Sequence, residues 1–543
     1  MTIELPTDLV AHGEIFTKRW VVEAILDLVG YTVDTDLSGM VLVEPSVGDG
    51  AFLGPTVDRL SASALEHGVA FASLSGVIRG YDLQAKHVQS SQTVVRDRLV
   101  ANGADLQTAA TLATTWISQA DFLLDDVDTP ANFVVGNPPY IRSDDLARDL
   151  GTAYRDRWAT MRGRADVYVG FFERALGMLK PDGKLGYICA DRWMRNAYGA
   201  NLRDFITTNY AVESLWQMHD VDAFATEVSA YPAITILGNH PQSEVAVLDA
   251  TATFTELGAR EATHFVRSTD NEASGVGWSG ARLDSWFSGT GFWPTGTPER
   301  LLLLEFLQEN FPKLEETGGT TKIGIGVATG ADKAYVVAPT ADVEPDRLLP
   351  LVMADDIRSG QLQTPQKVLI NPWNEQGNLV DLSAYPRLKL ALASHPNVVN
   401  RYVAKKKPAA WYRTIDKVSP GLAHRPKLLF QDMKAQITPV FEPGGYYPHH
   451  NLYYIVSTEW DLEVLGGLML SRIAQAFIEA YGVRMRGGTL RFQSQYLRKI
   501  RVPAPQDIPE AVANRLRDAH RASDRDAATR AAEEAYGLPV GVL

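Results

Sequence analysis

Asn137-Pro138-Pro139-Tyr140 directly follows the apolar run Phe133-Val134-Val135. A polar residue and two prolines after a buried strand are costly unless a rigid turn is wanted there. One kind of chemistry needs such a turn. An exocyclic amine conjugated to a ring is a poor nucleophile, and two acceptors on its N–H groups pull the nitrogen toward tetrahedral geometry. The Asn137 carboxamide oxygen is one such acceptor. The carbonyl of Pro138 is another, because proline has no N–H and its φ is fixed. The lone pair then faces a methyl donor, and no strong base is required because the proton leaves a cationic nitrogen. Tyr140 adds a flat face on which a base can stack. A plain strand-ending turn with a packed tyrosine is the competing reading.

Upstream lies Glu44-Pro45-Ser46-Val47-Gly48-Asp49-Gly50. A glycine loop between strand and helix lets backbone approach a ligand closely. The loop lacks the Lys-Ser/Thr ending of a P-loop and is not GxGxxG. Glu44 places a carboxylate where a cationic or amine group, such as the methionyl end of S-adenosylmethionine, would sit. Asp82 ends the next apolar run, Ser75–Asp82, and suits the two hydroxyls of a ribose. Asp121-Phe122 can hydrogen-bond an adenine amine and pack beside its ring. Each is weak alone; their order before the turn is what joins them.

These residues need an α/β frame to position them. Residues 40–45, 75–82, 131–140, 184–190 and 234–238 read as buried strands. Helical stretches at 12–31, after the glycine loop, at 84–116 and at 166–179 separate them, with a turn at Pro181-Asp182-Gly183. Alternating strands and helices predict a doubly wound, mostly parallel sheet, whose ligands lie beyond the strands' carboxyl ends. The texture changes near residue 240, so the expected domains are 1–242 and 243–543. The second is expected to be mixed α+β, with helices at 460–480 and 508–536.

The 543 residues carry a net charge of −13, 45% hydrophobic residues and one cysteine, Cys189. This excludes a disulfide framework and a cysteine-rich zinc site. No apolar run spans a membrane, the first residues do not read as a secretory signal, and the cytoplasm is the expected compartment. Residues 481–501 hold six Arg/Lys and no acid, and residues 401–440 nine against two Asp. His449-His450 follows Pro448 but has no third ligand at useful spacing, so no metal is expected.

The N-terminal motifs, in this order, resemble the γ-group of adenine-N6 DNA methyltransferases of the TaqI type. The resemblance implies roles residue by residue. Phe16 and Thr17 resemble the lead-in that touches the cofactor, although Lys18 stands where proline is usual. Glu44, Pro45, Ser46, Gly48 and Gly50 resemble the methionine-side loop, with Val47 and Asp49 replacing smaller residues. Asp82 and Leu83 resemble ribose and adenine contacts. Asp121, Phe122 and Phe171 resemble the adenine pocket. Asn137, Pro138, Pro139 and Tyr140 resemble the amine-activating turn, and Phe224 the second aromatic that sandwiches the flipped base. Segments 322–337, 346–359, 425–431 and 463–503 are similar to target-recognition domains of that group.

The implied activity is methyl transfer from S-adenosyl-L-methionine to N6 of an adenine flipped out of double-stranded DNA, as the modification enzyme of a restriction-modification system. Arg484, Arg486, Arg491, Arg498 and Lys499 are the candidate DNA contacts, with Gly487-Gly488, Trp411 and His449-His450-Asn451 beside them. A monomer, and a separate restriction endonuclease as partner, are expected. Cytosine-N4, protein-glutamine and guanine-N2 RNA methylation use the same turn and stay open. So does a DNA-specificity subunit without activity, which the full motif set disfavours.

Overall fold

The structure is a computed structural model that describes residues 17–218, 220–225, 231–482, 490–539 and 541. It divides into two compact units, up to Glu305 and from Phe306.

The first unit is built on a ten-stranded sheet. Its strands are β1 (Leu42–Glu44), β2 (Ile78–Asp82), β3 (Ile117–Gln119), β4 (Ala131–Gly136), β5 (Leu179–Ala190), β6 (Ala211–Gln217), β7 (Pro232–Gly238), β8 (Val245–Ala250), β9 (Glu272–Gly275) and β10 (Trp278–Leu283). Across the sheet the order is β3-β2-β1-β4-β5-β7-β6-β8-β10-β9. The pairs from β3 to β5 are parallel, and β7 enters antiparallel between β5 and β6. Helices α1 (Arg19–Val29), α2 (Leu53–Glu66), α3 (Ala85–Ala101), α4 (Leu106–Trp116), α5 (Arg148–Arg157) and α6 (Tyr168–Gly177) supply crossovers and cover. Strands β1 and β7 are buried throughout, as expected where both faces of a sheet are covered.

Three local readings change in the folded chain. The single helix expected over 84–116 is two, because Gly103 takes φ +103° and Asp105 caps α4 by accepting from Thr108 N–H. The turn expected at Pro181-Asp182-Gly183 lies inside β5 as a bulge. Asp182 takes φ +61°, and pairing with β4 jumps from Ala131–Leu179 to Phe133–Lys184. The boundary expected at 242/243 falls instead at Glu305, because β8 pairs with β6 and carries β10 and β9 with it. Trp286 and Trp293 extend the same core by packing in series onto Trp193. The buried Arg203 donates to the carbonyls of Thr290 and Gly291 at 2.8 and 2.7 Å.

The second unit is mixed α+β. One sheet pairs residues 322–325, 452–456, 427–431 and 440–442; a second pairs 336–337, 367–370, 348–352 and 447–448. Helices Leu462–Leu470, Arg472–Tyr481, Glu510–Ala522 and Arg525–Ala535 follow. The first two meet at buried Ser471, whose hydroxyl caps the second by accepting from Ala474 N–H. Among the described residues no helix is long and apolar enough to cross a membrane.

Candidate active site

The sheet changes direction between β1 and β4, which run side by side while their crossovers lead to opposite edges. A crevice must open beyond the carboxyl ends of such a pair. A cavity lies there, and its wall is made from the ends of β1, β2 and β4, from α5 and from α6. Glu44, Pro45, Ser46, Gly48, Asp82, Leu83, Asp121, Phe122 and Phe171 line it. Thr17, Asn137 and Pro139 complete it. Gly50, Pro138, Tyr140 and Phe224 are not among its lining residues, and Phe16 lies outside the described residues.

Glu44 is almost wholly buried, and its Oε2 has no hydrogen-bond partner. Burial first, and the nearby Asp82 carboxylate second, hold its carboxyl well above the usual range. Gly48 takes φ +50°, a backbone shape that favours glycine, and its N–H donates to Asp82 Oδ2 at 3.0 Å. Asp82 Oδ1 accepts from Gln84 N–H at 2.9 Å. Asp82 thereby ties the glycine loop to the end of β2 before any ligand arrives.

Also in the lining, the Phe122 and Phe171 rings meet at 5.1 Å between centroids. Arg174, itself buried, donates to the Phe122 carbonyl and lies 5.2 Å over its ring. Asp121 Oδ1 accepts from Leu123 and Leu124 N–H at 2.8 and 3.2 Å, and Oδ2 accepts from the Tyr154 hydroxyl at 2.9 Å. Burial raises the Asp121 carboxyl, against these hydrogen bonds. A ligand amine would therefore share an acceptor already in use.

Asn137 leaves β4 pointing at the lead-in. Its Nδ2 donates to Thr17 Oγ1 at 3.2 Å, which turns the carboxamide oxygen the other way. Thr17 is held by a bridge to Phe224 and by Lys18 N–H donating to the Ala223 carbonyl at 3.0 Å. The ring of Tyr140 meets Phe224 edge-on, 6.5 Å between centroids at 87°, and meets Tyr168 at 6.3 Å. Its hydroxyl is buried without a partner, and burial holds it neutral.

Several contributors escape the sequence reading. Leu146, Leu150 and Tyr154 line the cavity from the segment after the turn, with Ile141 beside them. Their spacing of four residues is a helical signal that was available. Asp49 faces His87, 3.1 Å from Nδ1, across 38 residues of sequence that no local pattern bridges.

Of the candidate DNA contacts in the second unit, Arg491 pairs with Asp432 at 2.5 Å and Arg498 with Glu315 at 2.5 Å. The Lys499 ammonium lies 5.1 Å over the Tyr481 ring. Arg484, Arg486, Gly487 and Gly488 lie outside the described residues. By contrast Lys405, Lys406 and Lys407 are exposed, as is Tyr402. The third partner that the sequence did not offer His449 and His450 is Asp332, brought to them from 117 residues away.

A doubly wound sheet with a glycine loop, an acid at the end of each of two strands and an Asn-Pro-Pro-Tyr turn around one crevice defines an S-adenosylmethionine-dependent methyltransferase. The model of the Eco57I restriction-modification methylase family matches residues 82–224. The chain is 41% identical over 537 residues to type II methyltransferase M.XhoI of Xanthomonas vasicola, covering 97% of each chain. It is 42% identical over 540 residues to type II methyltransferase M.PaeR7I of Pseudomonas aeruginosa, covering 98% of this chain and 92% of the relative. The chain belongs to this family of type II methyltransferases. The solved structure of the type IIL restriction-modification enzyme MmeI in complex with DNA shares the fold at TM-score 0.50 and 11% identity, covering 96% of this chain and 74% of that one.

The residues present fit the family's cofactor, S-adenosyl-L-methionine. The buried, unpartnered Glu44 oxygen suits its ammonium, Asp82 its ribose, and the Phe122–Phe171 wall its adenine.

Proposed function

We propose that this chain methylates N6 of an adenine extruded from double-stranded DNA, as the modification enzyme of a restriction-modification system. The observation that carries the reading is the Asn137-Pro138-Pro139-Tyr140 turn, whose Asn137 and Pro139 line the cavity, with the Asn137 amide nitrogen donating to Thr17. That commitment makes the Asn137 oxygen the acceptor for one amine hydrogen, and the Pro138 carbonyl accepts the other. The bound cofactor supplies an electrophilic methyl group. Tyr140 and Phe224 hold the extruded base by stacking, worth about 1–3 kcal/mol per base. The exposed lysines and Tyr402 of the second unit support a role in gripping the duplex through its phosphates.

The test is transfer from labelled S-adenosylmethionine to unmethylated genomic DNA, followed by nucleoside analysis. N6-methyladenine is expected, and Asn137→Ala should lower the rate by at least about 100-fold while cofactor still binds. N4-methylcytosine in the product would replace the adenine reading. Label in protein or RNA instead of DNA would overturn it, and normal turnover by Asn137→Ala would overturn the mechanism.

A further inference from the structure

In the second unit a glycine brings two distant segments together. A Cβ on Gly326 would lie 2.2 Å from the His449 carbonyl oxygen and 2.3 Å from that of Pro448. Only glycine lets the chain pass so close. Gly326 N–H donates to the Leu452 carbonyl and His450 N–H to the Val327 carbonyl, at 2.9 and 3.1 Å. The loop after residues 322–325 is thereby pressed onto residues 448–452, and Asp332 arrives beside His449 and His450.

Three electron-rich atoms converge there. His449 Nε2 is 3.1 Å from Asp332 Oδ2 and 3.1 Å from His450 Nδ1, and those two are 4.0 Å apart. His449 Nδ1 has its own partner, Asn451 Oδ1 at 2.9 Å. An amide oxygen only accepts, so the ring proton sits on Nδ1 and a neutral His449 turns its Nε2 lone pair toward the carboxylate. Lone pairs so arranged repel unless a positive charge lies between them. Ligand atoms about 2.0–2.1 Å from a tetrahedral ion stand roughly 3.3 Å apart, close to the spacing here.

The surroundings are those of a metal site. The second nitrogen of His449 is fixed by Asn451, and Asp332 Oδ1 accepts from the Thr329 hydroxyl, so two ligands are oriented from behind. His449 is buried, whereas His450 and Asp332 are partly exposed on a groove that Lys333, Asn400 and Arg401 also line. Three ligands leave one tetrahedral position facing that groove.

We propose that Asp332, His449 and His450 bind one divalent transition cation of the Zn²⁺ class. Two imidazoles and a carboxylate suit Zn²⁺, Co²⁺ or Ni²⁺ better than Mg²⁺ or Ca²⁺, which take oxygen. The ion would clip residues 326–332 to residues 448–452 and present its open position to water or an anionic oxygen.

The experiment uses the full chain without a polyhistidine tag, dialysed against EDTA. Co²⁺ titration should give the visible absorption of a tetrahedral site, saturating at one equivalent and lost on adding Zn²⁺. His450→Ala and Asp332→Asn, both at partly exposed positions, should each weaken binding by about 10-fold or more, with circular dichroism and cofactor binding unchanged. Absence of saturable one-to-one binding, or affinity in both variants equal to that of the parent, would overturn the proposal and leave a proton as the charge that holds the cluster.

Discussion

At Glu44 burial and the neighbouring Asp82 carboxylate both favour the protonated carboxyl. Its carboxyl is held above the usual range by burial and then by Asp82, and the folded state therefore keeps a proton that the unfolded chain gives up. Between the ordinary glutamate value of about 4.3 and the raised value, the native state binds more protons than the unfolded state. Stability contributed at this site is then lost as pH rises through that window. Glu44→Gln removes the titration. The melting temperature of the ligand-free variant should fall less than that of the parent between about pH 5 and pH 8, while the stabilisation by added S-adenosylmethionine should shrink. Thermal melts at several pH values check both. Parallel pH profiles for the two proteins would show that Glu44 is not the group concerned.

At the scale of elements, α5 covers the cavity and does so through few contacts. Its inward face is Leu150, Gly151 and Tyr154, and the rest of the helix is exposed or half-buried. From α5 the Tyr154 hydroxyl reaches the carboxylate of Asp121, which itself shapes the turn carrying Phe122. Removing a donor from a buried acceptor costs about 1–3 kcal/mol. Tyr154→Phe should therefore weaken cofactor binding by about 5-fold or more, since 1 kcal/mol is roughly a factor of five, with kcat at saturating cofactor little changed. Calorimetric titration alongside steady-state rates tests this. A fall in kcat with unchanged affinity would move the role of α5 from cofactor binding to the reacting turn.

At the scale of the molecule, the first unit ends after a tryptophan cluster, not after β7. A chain stopping at residue 242 strips β8, β10 and β9 from the edge of β6 and leaves Trp193 without Trp293, 4.7 Å away. It also removes the carbonyls of Thr290 and Gly291, two of the four that the buried Arg203 guanidinium donates to, and burial already lowers the pKa of that group to about 10. We expect residues 1–305 to melt cooperatively and to be stabilised by S-adenosylmethionine, and residues 1–242 to aggregate or bind no cofactor. Scanning calorimetry of the two chains decides it. A well-folded 1–242 would mean that the edge strands are dispensable.

Many of the residues that line the cavity were legible as candidates because they sit at strand ends, where an apolar run stops at an acid, a glycine loop or an Asn-Pro turn. Glu44, Asp82, Asp121 and Asn137 are each marked locally in that way, and the doubly wound sheet follows from the same alternation. The loop-to-helix pairings Asp49–His87 and Asp121–Tyr154, the seating of Thr17 on Asn137, and the meeting of Asp332 with His449 and His450 were not legible. Nor were the pairings that occupy Arg491 and Arg498. Sequence by itself determined which side chains stand at the ends of elements, because hydrophobic periodicity and turn chemistry are local. Only tertiary structure decided which of them face one another, because strand order and close backbone passages such as that of Gly326 join residues far apart in the chain.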